Sequence, residues 1–208
     1  MTRWYQEKKR EHFYREAKAQ GYRARSAFKL KQIQERFSIF SPGDTVVDLG
    51  AAPGGWSQVT LEYIGGNGRV IAIDLSMMVP LAGVDIIQGD ISTETTLSEL
   101  ADHLQGAAVD VVLSDMSPDI TGNYSVDQAR SLWLSEQALQ VAEKILKNGG
   151  YFVCKLFEGE DSPEFINQVR SRFQQVKRYS PEASRKSSSE IYIVAKGYHK
   201  TANSLLSR

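Results

Sequence analysis

The sequence predicts an α/β fold, a mostly parallel, seven-stranded sheet with helices on both faces and an antiparallel last strand. Three observations carry this reading. Five short apolar segments alternate with stretches of helical character; a glycine-rich loop follows the first of them directly, in VVDLGAAPGGW at 46–56; and the chain closes on two strand-like segments that read as a hairpin. With 208 residues and 41% hydrophobic content, the chain can bury one sizeable core. A single domain spanning 1–208 is expected, with a basic helical extension over about 1–38.

The elements follow in order. Residues 4–19 read as a basic helix, and 25–38 as an amphipathic one in which Leu30, Ile33 and Phe37 recur at i, i+3 and i+7. SPGDT at 41–45 breaks that helix. Strands are expected at 45–49 (TVVDL), 69–73 (RVIAI), 84–87 (VDII), 109–114 (VDVVLS) and 150–156 (GYFVCKL). Helices near 55–64, 94–104, 126–147 and 162–173 fall between or after them, and short strands alternating with helices require right-handed crossovers that cover both faces. Segments near 175–180 and 190–196 (EIYIVAK) form the closing hairpin, expected as an antiparallel edge.

Composition removes several classes of function. No segment approaches the roughly 20 apolar residues of a membrane helix, and the opening MTRWYQEKKR lacks the apolar core of a secretion signal. A soluble, cytoplasmic protein is expected. The single cysteine, Cys154, excludes an intramolecular disulfide and a cysteine-rich zinc site. His12, His103 and His199 are scattered without ligand spacing, so no metal is expected.

A net charge of zero conceals segregation. Lys plus Arg against Asp plus Glu count 11 to 4 over residues 1–39, 5 to 18 over 40–162 and 9 to 3 over 163–208. Two basic ends flank an acidic centre, and Trp4, Tyr5, Phe13, Tyr14 and Tyr22 are interleaved in the first. Folded to one side, the ends make a positive surface suited to a phosphate backbone, with Arg23, Arg25, Arg185 and Lys186 as the candidate RNA contacts.

In such a sheet, ligands bind outside the carboxyl ends of the strands near the switch point. The glycines at 50, 54 and 55 permit close approach of a ligand to the backbone, but G-A-A-P-G-G is not the G-x-G-x-x-G of a dinucleotide site, and no Walker lysine is present. Asp48 at the strand end repels a pyrophosphate and suits a cation. Asp74, closing the second strand, stands where an acid takes both hydroxyls of a ribose, and Asp90, closing the third, where it accepts from the exocyclic amine of adenine. A ribose and adenine with a positively charged tail describe S-adenosylmethionine.

The same residues carry a family resemblance. RARSAFKL (23–30), DLGAAPGGWSQ (48–58), DLSMM (74–78), QGD (88–90), SDMSP (114–118), KLFEG (155–159) and SRKSSSEIY (184–192) occur in this order without large insertion. The chain thereby resembles the FtsJ/RrmJ type of ribosomal RNA large-subunit 2′-O-ribose methyltransferases, the RlmE family, from about residue 20 to 197. The resemblance implies the Rossmann-like fold of class I S-adenosylmethionine-dependent methyltransferases. It also implies that Gly54, Trp56, Asp74, Asp90 and Asp115 contact the cofactor and that Lys29, Asp115, Lys155 and Glu190 form the catalytic set. Its expected substrate is a uridine ribose in large-subunit (23S) ribosomal RNA on the assembled 50S subunit, with transfer RNA as the alternative. A monomer is expected.

The chemistry asks for such a set. A ribose 2′-hydroxyl is a poor nucleophile at neutral pH, so an acceptor must take or share its proton as the methyl arrives. Lys155, at the end of a central strand, is the candidate acceptor; Lys29 nearby is expected to disfavour a second positive charge, while Asp115 and Glu190 oppose that shift and hold the amines. Two departures from the family pattern stand out. Arg23-Ala24-Arg25-Ser26 replaces the common Arg-Ser-Arg-Ala, and Phe157-Glu158-Gly159 replaces Phe-Gln-Gly, adding negative charge near the cleft. The loop 117–131 is expected to close over the target nucleotide.

Rival functions meet specific objections. Cytosine-5 methylation needs a catalytic cysteine, and Cys154 points opposite to Lys155 on its strand. Amino-group methyltransferases carry an Asn/Asp-Pro-Pro-aromatic run where this chain has Asp115-Met116-Ser117-Pro118. A nicotinamide dehydrogenase shares the ribose acid but not the loop. A non-catalytic ribosome-assembly factor has no need of carboxylates beside a phosphate backbone.

Overall fold

A computed structural model describes residues 12–184 and 189–200. Residues 12–19 are helical (α1), followed by α2 (Ala27–Phe37), β1 (Thr45–Leu49), α3 (Gly55–Ile64), β2 (Arg69–Asp74), β3 (Val84–Gln88) and α4 (Glu94–Leu104). Then come β4 (Val109–Ser114), α5 (Tyr124–Ile145), β5 (Leu146–Phe157), α6 (Ser162–Arg170), β6 (Phe173–Tyr179) and β7 (Glu190–Tyr198).

The seven strands form one sheet in the order β3-β2-β1-β4-β5-β7-β6. Strands β1 to β5 pair in parallel, and β7 is antiparallel to both its neighbours. The last strand is thus antiparallel, as expected, and the closing hairpin forms one edge of the sheet. Its second strand is inserted between β5 and β6, which leaves β6 outermost. The reason lies in composition: β7 buries its centre and exposes none of its residues, while β6 (FQQVKRY) is largely exposed and suits an edge.

Strand alternation divides the core in two. Val47, Leu49, Ile71, Ile73 and Val112 pack under α4, α5 and α6. Val46, Val70, Val111, Leu113 and Tyr192 pack under α1, α2 and α3, with Trp56 and Ile33 from the helices. Each strand thus serves both layers, which is why the strands read as nearly continuous apolar runs. The expected helix over 162–173 ends at Arg170, because Phe173 turns inward to begin β6. The part of the first expected helix before residue 12 lies outside the described residues.

The chain leaves β1 toward β2 and β3 on one side and returns to β4 on the other. A crevice above the carboxyl ends of β1 and β4 is the consequence. The loop closing β1 lies against it. Gly50 has φ +72°, and a Cβ there would come within 2.5 Å of Met116 Cγ; Gly54, the N-cap of α3, has φ +110°. No other residue type fits these two positions without strain or displacement.

Candidate active site

A cleft of about 750 Å³ opens over this crevice, lined among others by Gly50, Asp74, Asp90, Asp115, Met116 and Trp133. Asp74 Oδ2 accepts from Ala52 N at 2.9 Å and Oδ1 from Ser76 N at 2.7 Å, so its carboxylate fastens the glycine loop while keeping further lone pairs for a ligand. Asp90 Oδ1 accepts from Ser92 N and Ser92 Oγ at 2.9 and 2.7 Å. Those bonds, the backbone one first, hold its carboxyl below the ordinary range. Both acids sit where the sequence places them, at successive strand ends facing one cleft.

Gly54 and Trp56 do not line that cleft. Trp56 is 2% exposed, donates Nε1–H to Ser26 O at 2.9 Å and packs on the Tyr192 ring. Its indole is a core side chain, and what it offers the cleft is reduced to backbone at the start of α3. Gly54 lies instead beneath the Arg23 side chain and Met78.

The four predicted catalytic residues converge, on the α2/α3 side of the sheet. Lys29, on α2, donates Nζ–H to Glu190 Oε1 at 2.7 Å and to Tyr192 Oη at 3.2 Å. Tyr192 in turn donates its hydroxyl to Asp115 Oδ1 at 2.6 Å. Lys155 Nζ reaches the same Oδ1 at 3.2 Å and the Asp115 backbone oxygen at 2.5 Å. Glu190 also accepts from the Ser184 hydroxyl at 2.6 Å. Lys29 and Lys155 are 9% and 6% exposed, so each is a buried amine set against its own acid. Rather than facing one another directly, the two amines are bridged through Tyr192 and Asp115.

Tyr192 is the residue sequence reasoning missed. Lys155 and Tyr192 are register partners on β5 and β7. Burial, with Asp115 and Glu190 adding to it, raises the phenol well above its ordinary value, so it acts as a donor and not as a base. The signal was present, because Glu190 and Tyr192 are two apart and a strand puts such residues on one face.

Other expectations are redistributed. The Arg23 guanidinium, expected to meet RNA, donates to the backbone oxygens of Pro53, Val79 and Pro80 at 3.2, 2.6 and 2.7 Å. It ties the glycine turn to the β2–β3 loop by capping three carbonyls that converge there. Arg25 is half-buried just before α2, whereas Arg185 and Lys186 lie outside the described residues. Glu158 pairs with Arg178 at 2.5 Å, which offsets the extra charge near the cleft. The loop expected over 117–131 is helical from Tyr124 onward, and its free part is tied down by Asp127, which accepts from Thr121 N, Thr121 Oγ and Gly122 N at 2.9, 2.8 and 3.2 Å.

Cys154 is fully buried in the opposite half of the core from Lys155, and burial raises its thiol far above the ordinary value. No group of His, Cys, Asp or Glu able to hold a metal is present among the described residues. No helix among them is long and apolar enough to cross a membrane.

Known proteins share both sequence and fold with this chain. The chain is 50% identical over 190 residues to ribosomal RNA large subunit methyltransferase E of Halorubrum lacusprofundi, an alignment covering 90% of this chain and 71% of that protein. It is 47% identical over 190 residues to the protein of the same name from Methanosarcina barkeri, covering 91% and 72%. Among solved structures, a Plasmodium falciparum protein described as a ribosomal RNA methyltransferase superposes with a TM-score of 0.79 at 29% identity, over 86% of this chain and 100% of that one. A Clostridium thermocellum structure at 19% identity and TM-score 0.56, covering 81% and 96%, shares the fold. The profile of FtsJ-like methyltransferases matches residues 22–198, a span that includes every strand and the whole lysine and carboxylate network, and the chain belongs to that family.

Proposed function

We propose that this protein transfers a methyl group from S-adenosylmethionine to the 2′-oxygen of a uridine in large-subunit (23S) ribosomal RNA, acting in the cytoplasm as a monomeric single-domain enzyme on the assembled 50S subunit. The observation that carries the reading is the Lys29–Tyr192–Asp115–Lys155 chain of contacts, set at the rim of a carboxylate-lined cleft. The names of the relatives from Halorubrum and Methanosarcina support the substrate.

The cleft fits the donor by its chemistry. Gly50 lets the loop pack directly on Met116 in the cleft wall, Asp74 and Asp90 face the cleft as acceptors, and the deep carboxylate of Asp48 keeps one oxygen without a partner. Asp74 would hold the ribose hydroxyls, Asp90 the adenine amine and Asp115 the cationic end. When bound, S-adenosylmethionine supplies an electrophilic methyl on a sulfonium.

This chain's residues do the rest. Lys155 orients the target hydroxyl and takes its proton, and Asp115 fixes the lysine through its side chain and its backbone oxygen. Lys29, held by Glu190, and Tyr192 secure the far side of Asp115. Holding hydroxyl and methyl in line contributes several kcal/mol, within the roughly 7–11 kcal/mol available from orientation. Arg25, Arg185 and Lys186 are the phosphate contacts of the proposal.

The test is transfer of radiolabelled methyl from S-adenosylmethionine to large subunits from cells lacking the protein, with the site mapped by nuclease digestion. Label is expected on one 2′-O-methyluridine. Lys155→Ala is expected to abolish transfer while leaving donor affinity within a few-fold. Label on transfer RNA instead would keep the mechanism and replace the substrate, and no label on any RNA would overturn the reading.

A further inference from the structure

Among the described residues one buried side-chain oxygen lacks a hydrogen-bond partner, Oδ1 of Asp48. Such an orphan is costly and calls for an account. Asp48 has no solvent exposure, and its Oδ2 accepts from the Ser57 hydroxyl of α3 at 2.7 Å.

The sheet register surrounds it with like charge. Asp48 is paired with Ala72 on β2 and Leu113 on β4. Asp74 and Asp115 therefore lie two residues further along the flanking strands, on the same face of the pleat and nearer the cleft. Strand β5 contributes Lys155, but Asp115 engages that amine. Helix α3 contributes only the Ser57 hydroxyl. Burial, opposed by the Ser57 hydrogen bond and reinforced by Asp115 and Asp74, lifts the Asp48 carboxyl from the ordinary range to about 7. Without a cation in the cleft, three carboxylates crowd one patch of sheet.

We propose that Asp48 is the proton store of the donor site: it holds a proton in the free protein and releases it to solvent when a cationic ligand docks over the glycine loop. The inference rests on the S-adenosylmethionine reading and deepens it. The acid O–H bond breaks, its electron pair stays on the carboxylate, and the proton passes to water and buffer. An arriving positive charge favours the charged form of nearby acids, and Asp48 is the acid in this patch whose charged form burial opposes. The site thus selects for cations by exchanging one positive charge for another. Neutral adenine nucleosides leave the proton in place.

Calorimetric titration of S-adenosylmethionine into the full chain, in phosphate, Hepes and Tris buffers of different ionisation enthalpy, tests this directly. The apparent enthalpy is expected to depend on buffer, with about half a proton released at pH 7, nearly one at pH 6 and almost none at pH 8.5. Affinity is expected to be about tenfold weaker at pH 6 than at pH 8. Asp48→Asn should show neither dependence. Ser57→Ala, which removes the one bond favouring the carboxylate, should move the release to higher pH and keeps the test open if the asparagine variant does not fold. Binding without buffer dependence at pH 6 and 7, or unchanged proton release in Asp48→Asn, would sink the inference while sparing the donor assignment. Failure to bind S-adenosylmethionine at any pH would overturn both.

Discussion

Tyr192 shows how much one hydroxyl can organise. It donates to Asp115 and accepts from Lys29, so a single oxygen joins residues from α2, β4 and β7. Removing it in Tyr192→Phe leaves the ring's packing and strips Asp115 of a buried donor. That loss is about 1–3 kcal/mol, expected in a single-turnover assay as a fall of roughly ten- to a hundredfold in methyl transfer, with S-adenosylmethionine affinity unchanged by calorimetry. Asp48 gives a prediction of a different kind. Its carboxyl titrates near 3.8 when unfolded and at about 7 in the fold. The stability contributed by the protonated acid is therefore complete below pH 3.8 and is lost as pH rises through 7. Asp48→Asn escapes that loss. Relative to wild type it should gain on the order of 4 kcal/mol between pH 4 and pH 8, measured by urea unfolding at both values.

At the scale of elements, β1, α3 and α4 occupy the ranges read from the sequence, because each is bounded by turn chemistry: SPGD before the strand, Gly54 and Gly65 around α3, and Thr93, whose hydroxyl caps α4. The place of β7 was not legible, since periodicity reports which face a strand buries and not which strand it joins. The same limit hid Tyr192. Its two-residue spacing from Glu190 was visible, but its pairing with Lys155 exists only once β7 has entered the sheet. Asp74, Asp90, Asp115 and Lys155 were legible because strand ends in a parallel sheet converge by construction, whereas Lys29, on helix α2, was singled out only by the family resemblance. The Arg23 clamp was not legible because a basic residue in a basic stretch gives no hint that three carbonyls await it from loops 30 and 56–57 residues away. Its clamp makes a separable prediction. Arg23→Ala should release the β2–β3 loop and weaken S-adenosylmethionine binding by about 1–2 kcal/mol. The salt slope of RNA binding should stay as in wild type if the clamp is its whole role, whereas a slope lowered by about one unit would restore a phosphate contact.

For the molecule as a whole, the segregation of charge separates two kinds of electrostatics. The proposed donor site would work with acids desolvated or held at strand ends, which salt screens weakly, whereas the RNA contacts proposed for the basic stretches would work through counterion release. Raising salt from about 50 to 200 mM should weaken association with large-subunit RNA by orders of magnitude and change S-adenosylmethionine affinity little, read by filter binding and calorimetry. The insertion of β7 carries one more consequence, in the order of synthesis. Strands β1 to β4 and the glycine loop, which build the cleft, leave the ribosome first. Glu190 and Tyr192 leave later, and among the described residues it is Tyr192 that joins Lys29 to Asp115. A nascent chain can own a place for the donor before it owns the means to use it, so the chemistry is withheld until the sheet is complete.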